Sequence, residues 1–247
     1  MNRRLENKRA LVTGGSRGIG AAIARRLARE GAHVALTYVN NPDQADATVK
    51  AVQALGGKAL AIQANSADAK AVVAAVERTV KELGGIDILV NNAGIAVVAP
   101  IDDYRLEDLD LTLAVNVRAV FVATQAAVKH MQTGGRIINL GSCNAERVPF
   151  MGGGVYAMSK AALVGLVKGL ARDLGPRGIT INNIQPGPVE TDMNPATGDF
   201  AEMLMKMMAL PRYGKADEIA SLVAYLASPE AAYVTGASLS IDGGFTT

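Results

Sequence analysis

A tyrosine, a lysine and a serine are spaced so that they could exchange a proton with a substrate oxygen. Tyr156 and Lys160 are four residues apart in a predicted helix, which places both side chains on one face. A nearby ammonium stabilises phenolate and lowers the tyrosine pKa from about 10, so Tyr156 is predicted to act as a general acid or base near neutral pH. Ser142 follows a predicted strand, where its hydroxyl could bind the same oxygen. The alternative for the Tyr-x-x-x-Lys spacing is an ordinary amphipathic helix.

A glycine-rich turn, Thr13-Gly14-Gly15-Ser16-Arg17-Gly18-Ile19-Gly20, connects the first predicted strand to a helix. Such a turn presents backbone N–H groups and the positive end of a helix to a phosphate, and glycine lets the backbone approach the ligand closely. The spacing is G-x-x-x-G-x-G, which departs from the common G-x-G-x-x-G. Its position at the first βα turn predicts dinucleotide binding, with a simple tight turn as the alternative.

The same turn also matches G-x-S-x-G, the nucleophile elbow of serine hydrolases. In that interpretation Ser16 would be the nucleophile and would need an acid and then a histidine downstream. The chain has two histidines. His33 lies in the next predicted strand, and His130 lies at the end of a predicted helix rather than on a late loop. The sequence therefore favours nucleotide binding over hydrolysis.

The end of the second predicted strand indicates which nicotinamide cofactor would bind. An NAD site often has an acidic residue there, which binds the ribose 2′-OH. Here the residues are Thr37-Tyr38-Val39-Asn40-Asn41, and none is acidic. Arg17 in the glycine turn could face a 2′-phosphate. The sequence predicts NADPH rather than NADH, with a merely solvated Arg17 as the alternative.

The elements that would position these residues alternate along the chain. Strands are predicted at 10–13, 33–38, 59–62, 86–90, 136–140, 179–184 and 237–241. Helices are predicted at 19–30, 43–55, 69–83, 106–131, 156–174 and 216–227. This order predicts an α/β protein, one doubly wound Rossmann domain over 1–247 with a seven-stranded parallel sheet and helices on both faces. Residues 186–214 are rich in proline and irregular, so we expect a functional loop there.

The composition limits the other classes of function. The 247 residues are 49% hydrophobic and 19% charged, with 25 basic and 23 acidic residues that are mixed along the chain, which argues against nucleic-acid binding. One cysteine excludes an intramolecular disulfide, and two histidines leave little for a metal site, so no metal is expected. No uninterrupted apolar run has the length of a membrane span, and residues 1–8 do not resemble a signal peptide. We expect a cytoplasmic protein that does not bind membranes.

Together these motifs resemble the classical short-chain dehydrogenases/reductases over almost the whole chain. The glycine turn matches the family's cofactor turn, and Asn91-Asn92-Ala93-Gly94 matches its Asn-Asn-Ala-Gly motif. The resemblance implies four catalytic residues, Asn116, Ser142, Tyr156 and Lys160. The cofactor-binding residues that it and the turn imply are Gly14, Ser16, Arg17, Gly18, Ile19, Gly20, Tyr38, Asn40, Asn65, Asn92, Ala93, Gly94, Tyr156, Lys160, Pro186, Gly187, Val189 and Thr191.

The resemblance also implies a role for each catalytic residue. Tyr156 would be the general acid in carbonyl reduction and the base in alcohol oxidation, and Lys160 would lower its pKa and bind the nicotinamide ribose. Ser142 would orient the carbonyl, and Asn116 would hold a water in a proton relay to Lys160. The cofactor would be NADPH/NADP⁺. A homotetramer built on the helices at 106–131 and 156–174 and on the C-terminal strand is expected.

The substrate is the most open part of this prediction. The pattern looks most like 3-oxoacyl-acyl-carrier-protein reductases and broad-range carbonyl reductases, and a small or medium ketone or aldehyde is favoured. An acyl-carrier-protein substrate would need a basic docking patch, for which Arg147 and Arg212 are the candidates. Met203, Met205, Met207 and Met208 suit a tolerant pocket wall, or equally a packed helix or subunit contact.

Two further features of the sequence qualify the resemblance. Ser142 and Tyr156 are 14 positions apart, one more than is usual in the family, and we expect the intervening loop to absorb the extra residue. The stretch from Gln185 to Ala196 also resembles biofilm-dispersal members of the family that are thought to bind a cyclic dinucleotide. A nucleotide-binding regulatory protein is therefore an alternative, although the intact catalytic set argues for an enzyme.

Overall fold

The structure is a computed structural model that describes residues 3–192 and 194–247. Met1 and Asn2, in the segment tested for a signal peptide, and Met193, in the Gln185–Ala196 stretch, lie outside the described residues. The strands are β1 Arg9–Val12, β2 His33–Tyr38, β3 Ala59–Gln63, β4 Ile88–Asn91, β5 Arg136–Leu140, β6 Thr180–Pro186, β7 Val189–Glu190, β8 Gly214–Lys215 and β9 Ser238–Ile241. The α-helices are α1 Gly18–Arg29, α2 Pro42–Gln53, α3 Ala69–Leu83, α4 Leu106–Leu113, α5 Ala119–Ala127, α6 Gly154–Leu174, α7 Asp199–Met205 and α8 Ala216–Ala227.

Seven of the strands form one parallel sheet in the order β3-β2-β1-β4-β5-β6-β9. The strand order reverses between β1 and β4, because the chain first builds outward from β1 to β3 and then returns to continue on the other side. A doubly wound sheet binds its ligand at the carboxyl ends of the strands beside such a reversal. The predicted fold class is confirmed.

The helices cover both faces of this sheet. On one face α1 and α8 pack on the strands through side chains such as Ile23, Leu27 and Val223. On the other face α3, α5 and α6 contribute Val76, Ala123 and Val167 to a second core cluster. The strands are apolar on both sides because both sides are covered, which explains why their sequences do not alternate strictly.

The chain departs from the predicted elements at two places. The helix predicted at 106–131 is divided into α4, a π-helical segment at Ala114–Arg118, and α5. Residues 186–214 contain α7 and the two-stranded pair β7–β8, which the sequence did not predict. Single π-helical turns inside α-helices are often found at functional sites, and this one contains Asn116.

Three asparagines form a row across the middle of the sheet. Asn91 on β4 is the register partner of Asn139 on β5, which is in turn the partner of Asn183 on β6, and all three are buried. Asn91 Nδ2 donates to Asn139 Oδ1 at 2.9 Å, and Asn183 Nδ2 donates to Ser238 Oγ on β9 at 3.3 Å. Within the described chain Asn139 Nδ2 and Asn183 Oδ1 have no hydrogen-bond partner, so a donor and an acceptor are left on adjacent strands.

Two helical stretches, Leu106–Ala127 and Gly154–Arg177, have the length and mean hydropathy of a membrane span, each with a value of 1.2. The sequence prediction considered uninterrupted apolar runs only, whereas both stretches contain interspersed polar residues. The buried share of the most apolar window is 44% in the first stretch and 22% in the second. Core helices of soluble proteins pass the same test, and both stretches contribute side chains to the core beneath the sheet.

Candidate active site

A cleft of about 800 Å³ lies at the carboxyl ends of β1, β2 and β4. Its volume is in the range of small-molecule and cofactor sites, about 300–1,000 Å³. The predicted cofactor-binding residues that line it are Gly14, Ser16, Arg17, Gly18, Ile19, Gly20, Tyr38, Asn40, Asn65, Asn92, Ala93, Gly94 and Thr191. Residues that were predicted from separate motifs therefore meet in one cleft.

The glycine turn at the base of the cleft has little room for side chains. Gly14 has φ +62° and Gly18 has φ +52°, a region that glycine adopts without strain. A Cβ added to Gly20 would lie 2.2 Å from the carbonyl oxygen of Gly14. Helix α1 begins at Gly18, so its N–H groups face the cleft where a phosphate would bind. This cradle fits a dinucleotide phosphate.

Asn92 holds the glycine turn in place. Its side-chain Nδ2 donates to the carbonyl oxygens of Thr13 and Gly14 at 3.0 and 2.9 Å. The backbone N–H groups of Asn92 and Ala93 donate to Thr13 Oγ1 at 3.0 and 3.1 Å. The side-chain amide of Asn92 is thus used within the protein, and Asn92 supports the cofactor turn structurally. The sequence did not identify Thr13 as its partner.

Among the described residues, those that line the β2 end of the cleft include no carboxylate. They are Tyr38, Val39, Asn40, Asn41 and Gln44. Arg17, at the N-cap of α1, is exposed and lines the same cleft. An arginine at this place suits a phosphate on the ribose better than a free hydroxyl. Asp192 is the acidic residue found among the described lining residues.

Lys160 lies buried next to the inner end of the cleft. Its Nζ donates to the carbonyl oxygen of Leu140 at 2.8 Å, and a Cβ added to Gly94 would lie 3.3 Å from the same Nζ. Burial lowers the pKa of Lys160 from 10.5 to about 8, because the charged form loses its hydration. The ammonium is therefore close to its titration point in the physiological range.

Tyr156 lies close to Ser142. Interaction with the Ser142 hydroxyl lowers the pKa of Tyr156, but burial raises it by more, so the net shift is upward from 10. Lys160 Nζ lies 5.7 Å from the centre of the Tyr156 ring. The upward shift is opposite in direction to the lowering by Lys160 that the sequence predicted, and its largest cause is loss of hydration. Tyr156 is accordingly protonated at neutral pH.

The loop between Ser142 and Tyr156 folds against the segment after β4. Gly152 in this loop has φ +80°, and a Cβ there would lie 2.9 Å from backbone atoms of Ala99. The N–H of Ala99 also donates to the carbonyl oxygen of Gly152 at 3.3 Å. That the loop absorbs the extra residue stays a prediction.

Asn116 is completely buried, and its amide makes three hydrogen bonds. Its Nδ2 donates to the carbonyl oxygen of Ile95 at 2.9 Å and to Ser159 Oγ at 3.0 Å, while its Oδ1 accepts from the N–H of Ile95 at 2.9 Å. The side chain therefore joins the π-helical segment to the strand end after β4 and to α6. The water relay remains a prediction, and within the side chain only Oδ1 has a lone pair left for a water.

Five predicted cofactor residues are not among the lining residues of the cleft: Tyr156 and Lys160, which lie beside it, and Pro186, Gly187 and Val189. Pro186 is buried at the end of β6, and Gly187 packs so closely that a Cβ would lie 2.6 Å from Asp242 Cα. The Val189 side chain is 4% exposed within the main core. Thr191, which follows them, does reach the cleft and lies over Gly18.

Two residues that contact the site residues were not predicted from the sequence. Thr37 holds the glycine turn, because its Oγ1 accepts from the N–H of Gly14 at 3.0 Å. Asn144 contacts the candidate serine, since Ser142 Oγ donates to Asn144 Oδ1 at 3.2 Å and accepts from the N–H of Asn144 at 3.1 Å. Thr37 was visible as part of β2 but had no motif of its own. Among the described residues no group of three metal-ligating His, Cys, Asp or Glu side chains occurs.

The sheet order, the glycine cradle at the strand reversal and the tyrosine–lysine–serine cluster define a nucleotide-dependent oxidoreductase of the Rossmann type. A family profile described as Enoyl-(Acyl carrier protein) reductase matches residues 14–246. The chain belongs to the short-chain dehydrogenase/reductase family.

Three relatives illustrate how the chain compares with known members. A short-chain dehydrogenase from Burkholderia cenocepacia, solved in complex with NADP, is 57% identical with a TM-score of 0.97, covering 99% of this chain and 100% of that one. The cyclic-di-GMP-binding biofilm dispersal mediator protein of Escherichia coli is 47% identical over 96% of this chain and 97% of its own length. The 3-oxoacyl-[acyl-carrier-protein] reductase FabG of Staphylococcus aureus is 41% identical over the same shares.

Proposed function

We propose that the protein is an NADPH-dependent carbonyl reductase that reversibly reduces a ketone or aldehyde to an alcohol. The observation that carries the proposal is the placement of Tyr156 close to Ser142 and beside Lys160, whose Nζ lies 5.7 Å from the tyrosine ring, next to the cleft at Gly94. A carbonyl that is reduced needs one hydride at carbon and one proton at oxygen. The cluster can supply the proton without histidine, thiol or metal.

In this mechanism Tyr156 is the general acid. Its raised pKa keeps the phenol protonated, so it can donate its proton to the substrate oxygen as negative charge develops there. Ser142 holds the same oxygen through its hydroxyl. The Lys160 ammonium, anchored to the Leu140 carbonyl, stabilises the phenolate that remains. In alcohol oxidation the same groups act in reverse.

The glycine turn and its surroundings would hold NADPH, which supplies the hydride when it is bound. The N–H groups at the start of α1 would bind the pyrophosphate, Arg17 the 2′-phosphate, and Lys160 the nicotinamide ribose. Support comes from the tight cradle at Gly14 and Gly20, from the absence of an acid among the described residues at the β2 end, and from the relative solved with NADP.

We infer an apolar carbonyl substrate of small or medium size, held by the loop at 186–214. Large apolar side chains are exposed on the segment after β4, on the serine–tyrosine loop and on the segment that contains α7, namely Val98, Ile101, Met151, Phe200 and Leu210. Phe150 and Phe200 meet edge to face at 5.8 Å, which joins the serine–tyrosine loop to α7. Such surfaces favour uncharged, apolar substrate groups.

The two arginines considered for acyl-carrier-protein docking are already engaged. Arg212 pairs with Glu218 through two hydrogen bonds of 2.9 and 2.7 Å, and Arg147 donates to the carbonyl oxygen of Phe245 at 2.5 Å. A basic docking patch would need other residues, which makes a 3-oxoacyl thioester on a carrier protein the second choice. The FabG relative is the reason to keep it in the substrate panel.

The test is NADPH consumption with ketones, aldehydes and 3-oxoacyl esters, free and carrier-bound, in the native protein and in Tyr156→Phe. We expect turnover of apolar ketones and a loss of about a thousandfold or more in kcat in the variant, which keeps the ring and removes only the acid. A variant of an exposed tyrosine, Tyr233→Phe, is the control and keeps native activity. Full activity in Tyr156→Phe, or no turnover of any carbonyl, contradicts the proposal.

A second candidate is binding of a cyclic dinucleotide, which the name of the Escherichia coli relative favours. Calorimetric titration with cyclic di-GMP, with and without saturating NADPH, separates the two functions. Micromolar binding combined with no carbonyl turnover would make the protein a nucleotide sensor. Binding that NADPH abolishes would place both nucleotides in the same cleft.

We also propose a cytoplasmic homotetramer. The exposed face of α6 carries small residues, Ala161, Ala162, Gly165 and Gly169, which allow close approach of another helix, and Phe121 on α5 is 44% exposed. Light scattering should give about four times the 25.6 kDa chain mass. A monomer would contradict this assembly.

A further inference from the structure

The residues after β9 turn back onto the active-site side of the molecule. We call Asp242–Thr247 the C-terminal tail. Its first residue closes the turn, because the Asp242 carboxylate accepts from the N–H of Gly244 at 3.0 Å, from the N–H of Thr246 at 3.0 Å and from Thr246 Oγ1 at 2.7 Å. Gly244 has φ +78°, and a Cβ there would lie 2.6 Å from Ala209 Cβ. The tail is therefore tightly turned and packed.

Phe245 fills the centre of a small core cluster beside the active site. It is 1% exposed and is one of the largest fully buried side chains. The cluster around it contains Cys143, Ala201, Leu204, Met208 and Tyr213. Cys143 directly follows Ser142, and the other members belong to α7 and the segment after it. One ring thus packs between the turn that carries the serine and the proposed substrate loop.

Arg147 connects the tail to the serine turn from the other side. Its Nη1 donates to the carbonyl oxygen of Phe245 at 2.5 Å, and its guanidinium carbon lies 5.4 Å from the centre of the Phe245 ring. The N–H of Arg147 donates to the carbonyl oxygen of Cys143 at 3.1 Å, which closes the turn after Ser142. A charge-assisted hydrogen bond and a cation–π contact therefore act on the same residue.

Two backbone hydrogen bonds extend these connections. The N–H of Leu210 donates to the carbonyl oxygen of Gly243 at 2.8 Å, which ties the proposed substrate loop to the tail. The N–H of Gly187 donates to the carbonyl oxygen of Ile241 at 3.1 Å, immediately before the tail. The tail is in contact with the serine turn, the loop and the end of β6, yet contributes nothing to the described cofactor cleft.

We propose that Phe245 and Arg147 are positioning residues for the reaction. They hold the Ser142 turn and the 199–213 segment in one geometry, so that the Ser142 hydroxyl points at the substrate carbonyl and the carbonyl pocket is formed. The inference rests on the proposed carbonyl reduction. It assigns to the tail a role in substrate positioning that is separate from cofactor binding. Small displacements of an orienting group lower kcat strongly, because the reacting atoms leave their productive geometry.

The variants Arg147→Gln and Phe245→Leu test this proposal. Arg105→Gln is the matched control, since Arg105 is an exposed arginine that pairs with Glu107 at 3.4 Å. We expect Arg147→Gln and Phe245→Leu each to lower kcat/KM for the ketone by at least about tenfold, mainly through kcat, while the Kd for NADPH from fluorescence changes by less than about threefold. Arg147→Lys keeps the charge but not the planar fork, and should recover part of kcat.

Two further measurements separate positioning from a general loss of stability. If both residues act as one unit, the double variant loses no more activity than the more impaired of the two single variants. Independent stabilising contacts would instead give additive losses in free energy. Hydrogen exchange should accelerate at 142–147 and 199–213 in Arg147→Gln and remain native in the cofactor turn. Additive losses, native kinetics, or exchange that accelerates equally throughout the molecule would overturn the proposal.

These outcomes are distinct from failure of the proposed function. If the native protein reduces no carbonyl, the proposed function fails, and unchanged exchange at 142–147 and 199–213 in Arg147→Gln would then also refute the tail's role. If the native protein is active and Arg147→Gln behaves like Arg105→Gln, only the positioning inference fails.

Discussion

The cofactor half and the substrate half of the site are built in different ways. In the cofactor half, contacts come from strand ends and from a glycine turn that has no room for side chains, as at Gly14 and Gly20. In the substrate half, the serine turn is held by the contact between Arg147, in the loop that follows Ser142, and Phe245, which is distant in the sequence. In the first half the backbone itself is tightly packed, and side chains at neighbouring strand ends such as Asn92 support it. The second half depends on side-chain packing against the tail. Substitutions in the two halves should therefore have different effects.

Apart from the loss of kcat expected in Tyr156→Phe, the largest effect is expected in the cofactor half, from Gly20→Ala. The added Cβ would lie 2.2 Å from the Gly14 carbonyl oxygen, and a backbone atom cannot rotate away as a side chain can. We expect the turn to move at a cost of about 2–3 kcal/mol and the Kd for NADPH to rise about a hundredfold. Gly175→Ala is the control, since nothing lies within 4 Å of a Cβ there. Native NADPH affinity in Gly20→Ala would show that the turn is not rigid.

The next effect tests cofactor choice in the same half. Arg17→Gln should weaken NADPH binding about ten- to a hundredfold and leave NADH binding nearly unchanged, because a charged hydrogen bond to phosphate contributes about 1.5–3 kcal/mol. Arg29→Gln, at the other end of α1, should alter neither affinity. Isothermal titration with both cofactors measures the difference. Equal losses for NADPH and NADH would mean that Arg17 supports the turn rather than the 2′-phosphate.

Lys160 lies between the two halves, and its titration should make the activity depend on pH. Because burial lowers its pKa to about 8, the ammonium is lost as the pH rises through that value. For carbonyl reduction we expect kcat/KM, which reports the free enzyme, to fall about tenfold per unit above pH 8. Lys160→Arg keeps the charge at all these pH values and should remove this decline, at a lower overall rate. If kcat/KM still declines above pH 8 in Lys160→Arg, the decline must come from the titration of another group.

The smallest effect is expected at Cys143, beside the candidate serine. Burial raises the pKa of its thiol to about 12, so almost no thiolate exists at neutral pH. Iodoacetamide at pH 8 should leave Cys143 unmodified in the native protein and modify it after unfolding, as measured by mass spectrometry. Cys143→Ala should change kcat by less than about threefold. Rapid alkylation of the native protein would mean that the serine turn opens.

The same contrast explains what could be predicted from the sequence. The seven strands and the glycine turn were predictable because apolar runs and backbone-driven turns leave local patterns, as at Thr13–Gly20. The π-helical segment around Asn116 was not, because one extra residue in a helical turn hardly changes the periodicity. The direction of the Tyr156 pKa shift was not predictable either. It depends on burial by surrounding segments, and the residue spacing carries no information about that.

The proposed roles of Arg147 and Phe245 illustrate most clearly what could not be predicted from the sequence. Arg147 looked like a candidate for docking a carrier protein, since an isolated arginine in a loop is usually solvated. Its actual partner is 98 positions away, and no local motif connects them. Contacts of this kind become visible only once the chain is folded.

The asparagine row on β4, β5 and β6 has a consequence for how the sheet assembles. Asn91 Nδ2 reaches Asn139 Oδ1 only when β4 and β5 are neighbours in this register. Exchanging two strands, or sliding one by a single residue, would break this hydrogen bond and leave two further amide atoms unpaired, at a cost of about 1–3 kcal/mol for each. The Asn91–Asn139 pair therefore favours this strand order and register over misassembled sheets.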